Sequence, residues 1–245
     1  MFKMPRQKYR MPEAEVPTSS ESESEDQDEP GAACRFVEAH RNQGAAVFSD
    51  SLLRGAKAVL EAEPTVKEVN IHGGATADQV LDNARTYLDD HPGSFLIIIC
   101  AGSNNIFERR DYSVPPPYEF TEQEAADYSH TVNSYLEAKR SEFVVDAARR
   151  QCEVAFCTVP SRNNLHKGNI QSFLRANALI RKSNLERSIP TPDIDTLISR
   201  YRVVNDREMF YHARSSRLRP DGIHPKPETA VKWGKEILKL VVPLC

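Results

Sequence analysis

The sequence predicts a single three-layer α/β/α domain on a parallel sheet, preceded by an acidic tail. Three observations predict it. From about residue 44 onward, short apolar runs alternate with longer amphipathic ones. One run, residues 95–101, is apolar throughout, as a strand covered on both faces must be. The segments between the runs are long enough for the crossover helices that parallel strands require. A chain of 245 residues holds one domain of roughly 200 residues, or at most two small ones, and a core of that size needs no staples.

The elements follow in order. AAVF (45–48) is a short strand, and SLLRGAKAVLEAE (51–63) places Leu52, Leu53, Ala56, Val59 and Leu60 at helical spacing. VKEVNIH (66–72) reads as a strand, TADQVLDNARTYLDD (76–90) as a helix and SFLIIIC (94–100) as the buried strand. Three consecutive prolines make 108–120 a loop, either a wall of a pocket or a rigid connector. Thr121 with Glu124 forms a capping box that opens a long helix to about Arg150. EVAFCTV (153–159) is a fourth strand, 169–187 a helix, IDTLIS (194–199) a short fifth strand, and 228–240 the last helix. Right-handed crossovers then gather the strand C-terminal ends on one edge, where such sheets bind ligands.

Charge divides the chain. The net charge is −3, yet residues 1–33 carry four basic and eight acidic side chains, which leaves the remainder at +1. TSSESESEDQDEPG has no aliphatic residue to bury, so residues 1–40 are expected to be a disordered acidic tail and 41–245 the domain. Ser20 and Ser22, each with Glu three residues on, suit an acidophilic kinase; a plain solubilising tail is the other reading. The longest apolar run, seven residues, is far short of the ~20 that a membrane-spanning helix needs. MFKMPRQKYR lacks the apolar stretch of a secretory signal. Five cysteines without paired spacing suit reduced thiols in an intracellular, cytoplasmic protein. No His/Cys/Asp cluster has metal-ligand spacing, so no metal and no cofactor is expected.

The residues that follow the strands carry the chemistry. Strand 1 ends in Ser49-Asp50-Ser51-Leu52, strand 2 in His72-Gly73-Gly74-Ala75-Thr76 and strand 3 in Ala101-Gly102-Ser103-Asn104-Asn105. Asp221-Gly222-Ile223-His224-Pro225 precedes the last helix. These can assemble acyl transfer. A Ser hydroxyl becomes a useful nucleophile when an imidazole takes its proton, and the imidazole needs a carboxylate to hold its tautomer. Ser51 at a strand-to-helix turn suits the nucleophile, and Asp221 and His224 suit the pair behind it. The Ser51 N–H, the Gly74 N–H and the Asn104 amide could stabilise an oxyanion. Singly, each has a plainer reading: Ser51 as a helix cap, Gly73-Gly74 and Asp221–His224 as turns, Asn104 as loop.

Together these blocks resemble those of the SGNH (GDSL-type) hydrolase superfamily. Gly-Asp-Ser-Leu is similar to Ser49–Leu52, the second-block glycine to Gly74, Gly-x-Asn-Asp to Gly102–Asn105 and Asp-x-x-His to Asp221–His224. The resemblance covers about residues 44–242. It implies a flavodoxin-like sandwich and a serine esterase acting on small acyl or acetyl esters, with Ser51, His224 and Asp221 catalytic and Ser51, Gly74 and Asn104 forming the oxyanion hole. Ser49 stands where that pattern has Gly, and Asn105 where it has Asp. The superfamily also has degenerate, RNA-binding members and esterase-like domains encoded by non-LTR retrotransposons, so a non-catalytic binding module is the alternative.

Two further features bear on partners. His72, beside Gly73, reads either as a substrate contact or as a structural hydrogen-bonding residue. Residues 199–220 hold six arginines with Tyr201, Phe210 and Tyr211 interleaved. That stretch suits a solvated face, an anionic substrate met by Arg217 or Arg219, or a nucleic acid such as RNA. Oligomeric state leaves no signature in the sequence.

Overall fold

In the computed structural model, which describes residue 36 and residues 44–93, 95–107, 121–162, 167–204, 208–213 and 217–242, the first apolar run folds as β1 (Gly44–Asp50). For 167–169, 199–204 and 208–213 only the backbone is described. β1 pairs in parallel with β2 (Val66–His72) on one side and β3 (Phe95–Cys100) on the other; β3 pairs in parallel with β4 (Glu153–Phe156). The strand order is β2-β1-β3-β4. The period-2 alternation of the central strands explains the three layers. Ala46, Phe48, Ile97, Ile99, Val154 and Phe156 enter one core, and Ala45, Val47, Leu96, Ile98, Cys100 and Ala155 enter the other.

Each face is closed by helices whose apolar stripes match it. The first core is covered by α2 (Ala77–Asp90), α4 (Glu122–Arg149) and α5 (Lys167–Glu186). The expected capping box of Thr121 with Glu124 forms and opens α4, and at the start of α2 Gln79 Oε1 accepts the Thr76 N–H at 2.9 Å. The second core is covered by the 3₁₀ turn Ser51–Ala56, by α1 (Lys57–Glu61) and by α6 (Pro227–Leu238), whose Trp233 is fully buried. Phe36 is also buried in this second core; the rest of the expected tail lies outside the described residues.

The structure corrects several expectations. The helix expected over 51–63 begins as a 3₁₀ turn and is α-helical only at Lys57–Glu61. The Asp50 carboxylate captures the Leu52 N–H at 3.0 Å and tightens that first turn. Residues 194–198 are a turn and not part of a fifth strand, which begins only at Ser199. The Asp195 backbone oxygen closes that turn by accepting the Ile198 N–H at 2.9 Å. The arginine-rich stretch instead forms a separate antiparallel hairpin of β5 (Ser199–Val204) and β6 (Glu208–Ala213). Asn104 and Asn105 lie on a short helix, α3 (Ser103–Phe107), rather than a loop. The Pro-rich loop 108–120 lies outside the described residues.

Gly55 sets how closely the last helix approaches the first turn. A Cβ there would stand 2.8 Å from the Cβ of Ala230, which is fully buried on α6. Gly55→Ala is therefore expected to destabilise the domain by about 1–2 kcal/mol, overpacking exceeding the entropy gained in the unfolded chain. Urea unfolding measures it.

Candidate active site

The strand order creates the crevice. After β1 the chain passes to the second core, where Leu52 and Leu53 are buried; after β3 it passes to the first, where Ile106 is buried. Neighbouring strands whose connections leave in opposite directions open a gap at their C-terminal ends. Ser51 and Asn104 stand on either side of that gap, at the ends of β1 and β3.

The loop before α6 delivers the other two residues. Leu218 and Pro225 form an antiparallel bridge, the Arg219 N–H donates to His224 O at 2.8 Å, and the Gly222 N–H closes the turn on Arg219 O at 2.9 Å. Gly222 has φ +70°, a conformation that glycine adopts without strain. Asp221 Oδ1 accepts the Ile223 N–H at 2.8 Å and the His224 N–H at 3.0 Å; its Oδ2 is 2.9 Å from His224 Nδ1. These backbone donors, followed by the imidazole, lower the Asp221 carboxyl from 3.8 to about 2. Ionised there, it favours the tautomer with hydrogen on Nδ1, leaving Nε2 to accept. His224 Nε2 lies 3.3 Å from Ser51 Oγ. The structure thus brings Ser51, His224 and Asp221 into one hydrogen-bonded chain.

The residues expected to form the oxyanion hole are held by their own contacts. Gly74, at the end of β2, has φ +73°, and the space where a Cβ would point is open. Asn104 Nδ2 donates to Ala75 O at 2.8 Å, and Asn104 Oδ1 accepts from Arg162 Nη2 at 3.1 Å. The amide is pinned at both ends, with one N–H left to donate. Asn105 Oδ1 accepts the Ala77 N–H at 2.7 Å, tying α3 to the start of α2, while its buried Nδ2 has no hydrogen-bond partner among the described residues. Ser49 is buried within the β1 ladder opposite Cys100.

Asp50, Ser103 and Arg162 bond to one another beside these residues. Asp50, fully buried, accepts Ser103 Oγ–H at 2.7 Å on the oxygen that does not hold Leu52. Arg162 Nη2 also reaches Ser103 Oγ at 3.2 Å. Burial raises the Asp50 carboxyl and lowers the Arg162 guanidinium, and each charge partly offsets the other's desolvation. The network joins the Ser51 turn to the Asn104 amide. Arg162 lies well beyond the end of β4 at Phe156, whereas Ser51 directly follows β1, and no local pattern in the sequence singles it out.

The remaining expected contacts separate. His72 is exposed at the end of β2, opposite Asp50 in the strand register, and no hydrogen bond links it to Ser51 or His224. Arg217 Nη1 donates to Leu197 O, anchoring the loop to the 194–198 turn. Arg219 lines the open cleft beside the nucleophile, together with Ser51, Leu52, Arg54, Gly55, His224 and Pro225. Arg54 is a lining residue that sequence reading missed. Cys100, Cys152 and Cys157 are buried and unbridged. Among the described residues no His/Cys/Asp/Glu group is placed to hold a metal ion, and no helix is long and apolar enough to cross a membrane.

Neither a scan against protein-family models nor a search of the curated proteins finds a match to this sequence. Solved structures do match. A member of the lipolytic protein G-D-S-L family from Veillonella parvula superposes with TM-score 0.56 at 15% identity, covering 81% of this chain and 97% of that one. A structure assigned to the same family, from Desulfitobacterium hafniense, gives TM-score 0.55 at 15% identity, covering 82% and 100%. A GDSL-like lipase from Bacteroides thetaiotaomicron gives 0.52 at 14%, covering 86% and 95%. The chain has the α/β fold of SGNH hydrolases.

Proposed function

We propose that this chain is a serine ester hydrolase that cleaves small acyl esters through an acyl-enzyme. The observation that carries the reading is the continuous chain Ser51 Oγ–His224 Nε2 at 3.3 Å and His224 Nδ1–Asp221 Oδ2 at 2.9 Å. In the first half-reaction Ser51 Oγ attacks the ester carbonyl as its proton passes to His224 Nε2. The oxyanion is met by backbone N–H groups at Ser51 and Gly74 and by the free N–H of Asn104. Collapse breaks the ester bond, and His224 returns the proton to the leaving alkoxide. Water then attacks the acyl-Ser51, with His224 as base again, releasing the acid and restoring the serine. Asp221 holds the imidazole in register through both halves and stays ionised.

The decisive assay is hydrolysis of p-nitrophenyl acetate and butyrate by the wild type. Turnover that disappears in Ser51→Ala supports the reading. Absence of turnover from about pH 6 to 9 overturns it. The hairpin register supports a second reading, because it sets Arg200 opposite His212 and Arg202 opposite Phe210. If that hairpin binds RNA, a gel shift should weaken as salt rises and survive Ser51→Ala; no shift at low salt removes the idea.

A further inference from the structure

We infer that the substrate of this site carries an anionic group, a carboxylate or a phosphate, which Arg54 and Arg219 receive beside the scissile ester. The inference rests on the esterase reading and names its substrate class.

Arg54 owes its place to the 3₁₀ turn. In a 3₁₀ helix, residues three apart lie one above the other, and Ser51 and Arg54 are three apart within Ser51–Ala56. In an α-helix the same pair would be rotated apart. The guanidinium extends over the end of β2, where a Cβ on Gly73 would stand 2.8 Å from Arg54 Nη2. Gly73 adjoins Gly74, the expected oxyanion residue. Arg54 is exposed, and among the described residues no carboxylate pairs with it.

Arg219 comes from the opposite loop. Its backbone N–H is bonded to His224 O, and its Nε donates to Pro225 O at 3.2 Å, which fixes the guanidinium while its terminal nitrogens stay available. Both arginines line the cleft that contains Ser51 and His224, and among the described residues no acidic side chain lines it. Asp221, the nearest acid on this loop, is turned into the imidazole and its own backbone. Two cations held by two separate segments, beside Ser51 and without a paired carboxylate among the described residues, favour an anion on the bound ester.

The test compares three aryl acetates: neutral 4-acetoxybenzamide, 4-acetoxybenzoate and 4-acetoxyphenyl phosphate, each kcat/KM divided by its own hydroxide rate. Wild type should prefer at least one anionic ester by about fivefold or more at low salt, and the preference should shrink as salt rises. The two anionic esters distinguish carboxylate from phosphate. Arg54→Gln/Arg219→Gln should bring the anionic-to-neutral ratio near one, and Arg54→Lys/Arg219→Lys should retain part of it. Hydrolysis of the neutral ester without anionic preference, or a preference that survives the double Gln change, overturns this proposal and leaves the esterase reading standing. Failure to hydrolyse any of the three overturns both.

Discussion

Ser51→Ala is expected to lower kcat/KM for p-nitrophenyl butyrate by about 10⁴-fold or more, to the level of the uncatalysed background. The substitution removes one atom, Oγ, from the end of the chain that runs through His224 to Asp221. It leaves the local fold in place for an identifiable reason. The 3₁₀ turn is capped by Asp50, whose carboxylate holds Leu52 N and Ser103 Oγ and makes no bond to the Ser51 hydroxyl. Ser51 is only half-buried, so the stability change should stay within about 0.5–1 kcal/mol. Activity and urea unfolding measured on the same preparation separate the two effects. If the alanine variant folds and retains a tenth of the wild-type rate, another group is the nucleophile.

Asp221→Asn is the second large effect, a fall in kcat of about 10³–10⁴-fold with the loop geometry kept. The Asn carbonyl can still accept the Ile223 and His224 N–H groups that Asp221 Oδ1 accepts now. Its NH₂ then replaces the oxygen that faces His224 Nδ1 at 2.9 Å, and two donors oppose each other. The imidazole responds by carrying its hydrogen on Nε2, the nitrogen that must take the Ser51 proton. Steady-state kinetics beside a circular dichroism spectrum test this: a well-folded variant with near wild-type kcat would remove Asp221 from the proposed mechanism. A stability signature accompanies it. The Asp221 carboxyl is lowered from 3.8 to about 2, so its contribution to folding is fully present above 3.8 and lost as pH falls through about 2. Across that window wild type should lose more stability than the Asn variant, as followed by thermal unfolding.

The strand-end residues were readable because both halves of the argument are local. A run such as Phe95–Cys100 declares a strand buried on both faces by its own composition, and whatever follows a parallel strand stands on the ligand edge whichever strands are neighbours. Ser51, Gly74 and Asn104 could therefore be singled out before any packing was known, and Asp221 and His224 by their spacing of three in the loop before the last helix. The helix cap at Thr121 was readable for the same reason, since a capping box is completed within four residues.

What adjacent residues cannot encode is which distant atoms meet. Helical spacing of Leu52, Leu53 and Ala56 does not distinguish a 3₁₀ turn from an α-helix; the Asp50 carboxylate, shared between Leu52 N and Ser103 Oγ, accompanies that choice and aligns Arg54 with Ser51. The apolar positions of 194–199 suggested a strand, but 194–198 close into a turn on the Asp195 carbonyl, with Ile194 and Ile198 packed into the second core. Arg162 is unremarkable in the sequence and becomes part of the site only because β4 lies beside β3, bringing its guanidinium to Asn104. By itself, then, the sequence determined the layered α/β class, the ligand edge and the residue types gathered along it. Tertiary structure alone decided the strand order and the 3.3 Å approach of His224 to a serine 173 residues away, because burial of apolar faces against one another selects neighbours and no local propensity reaches that far.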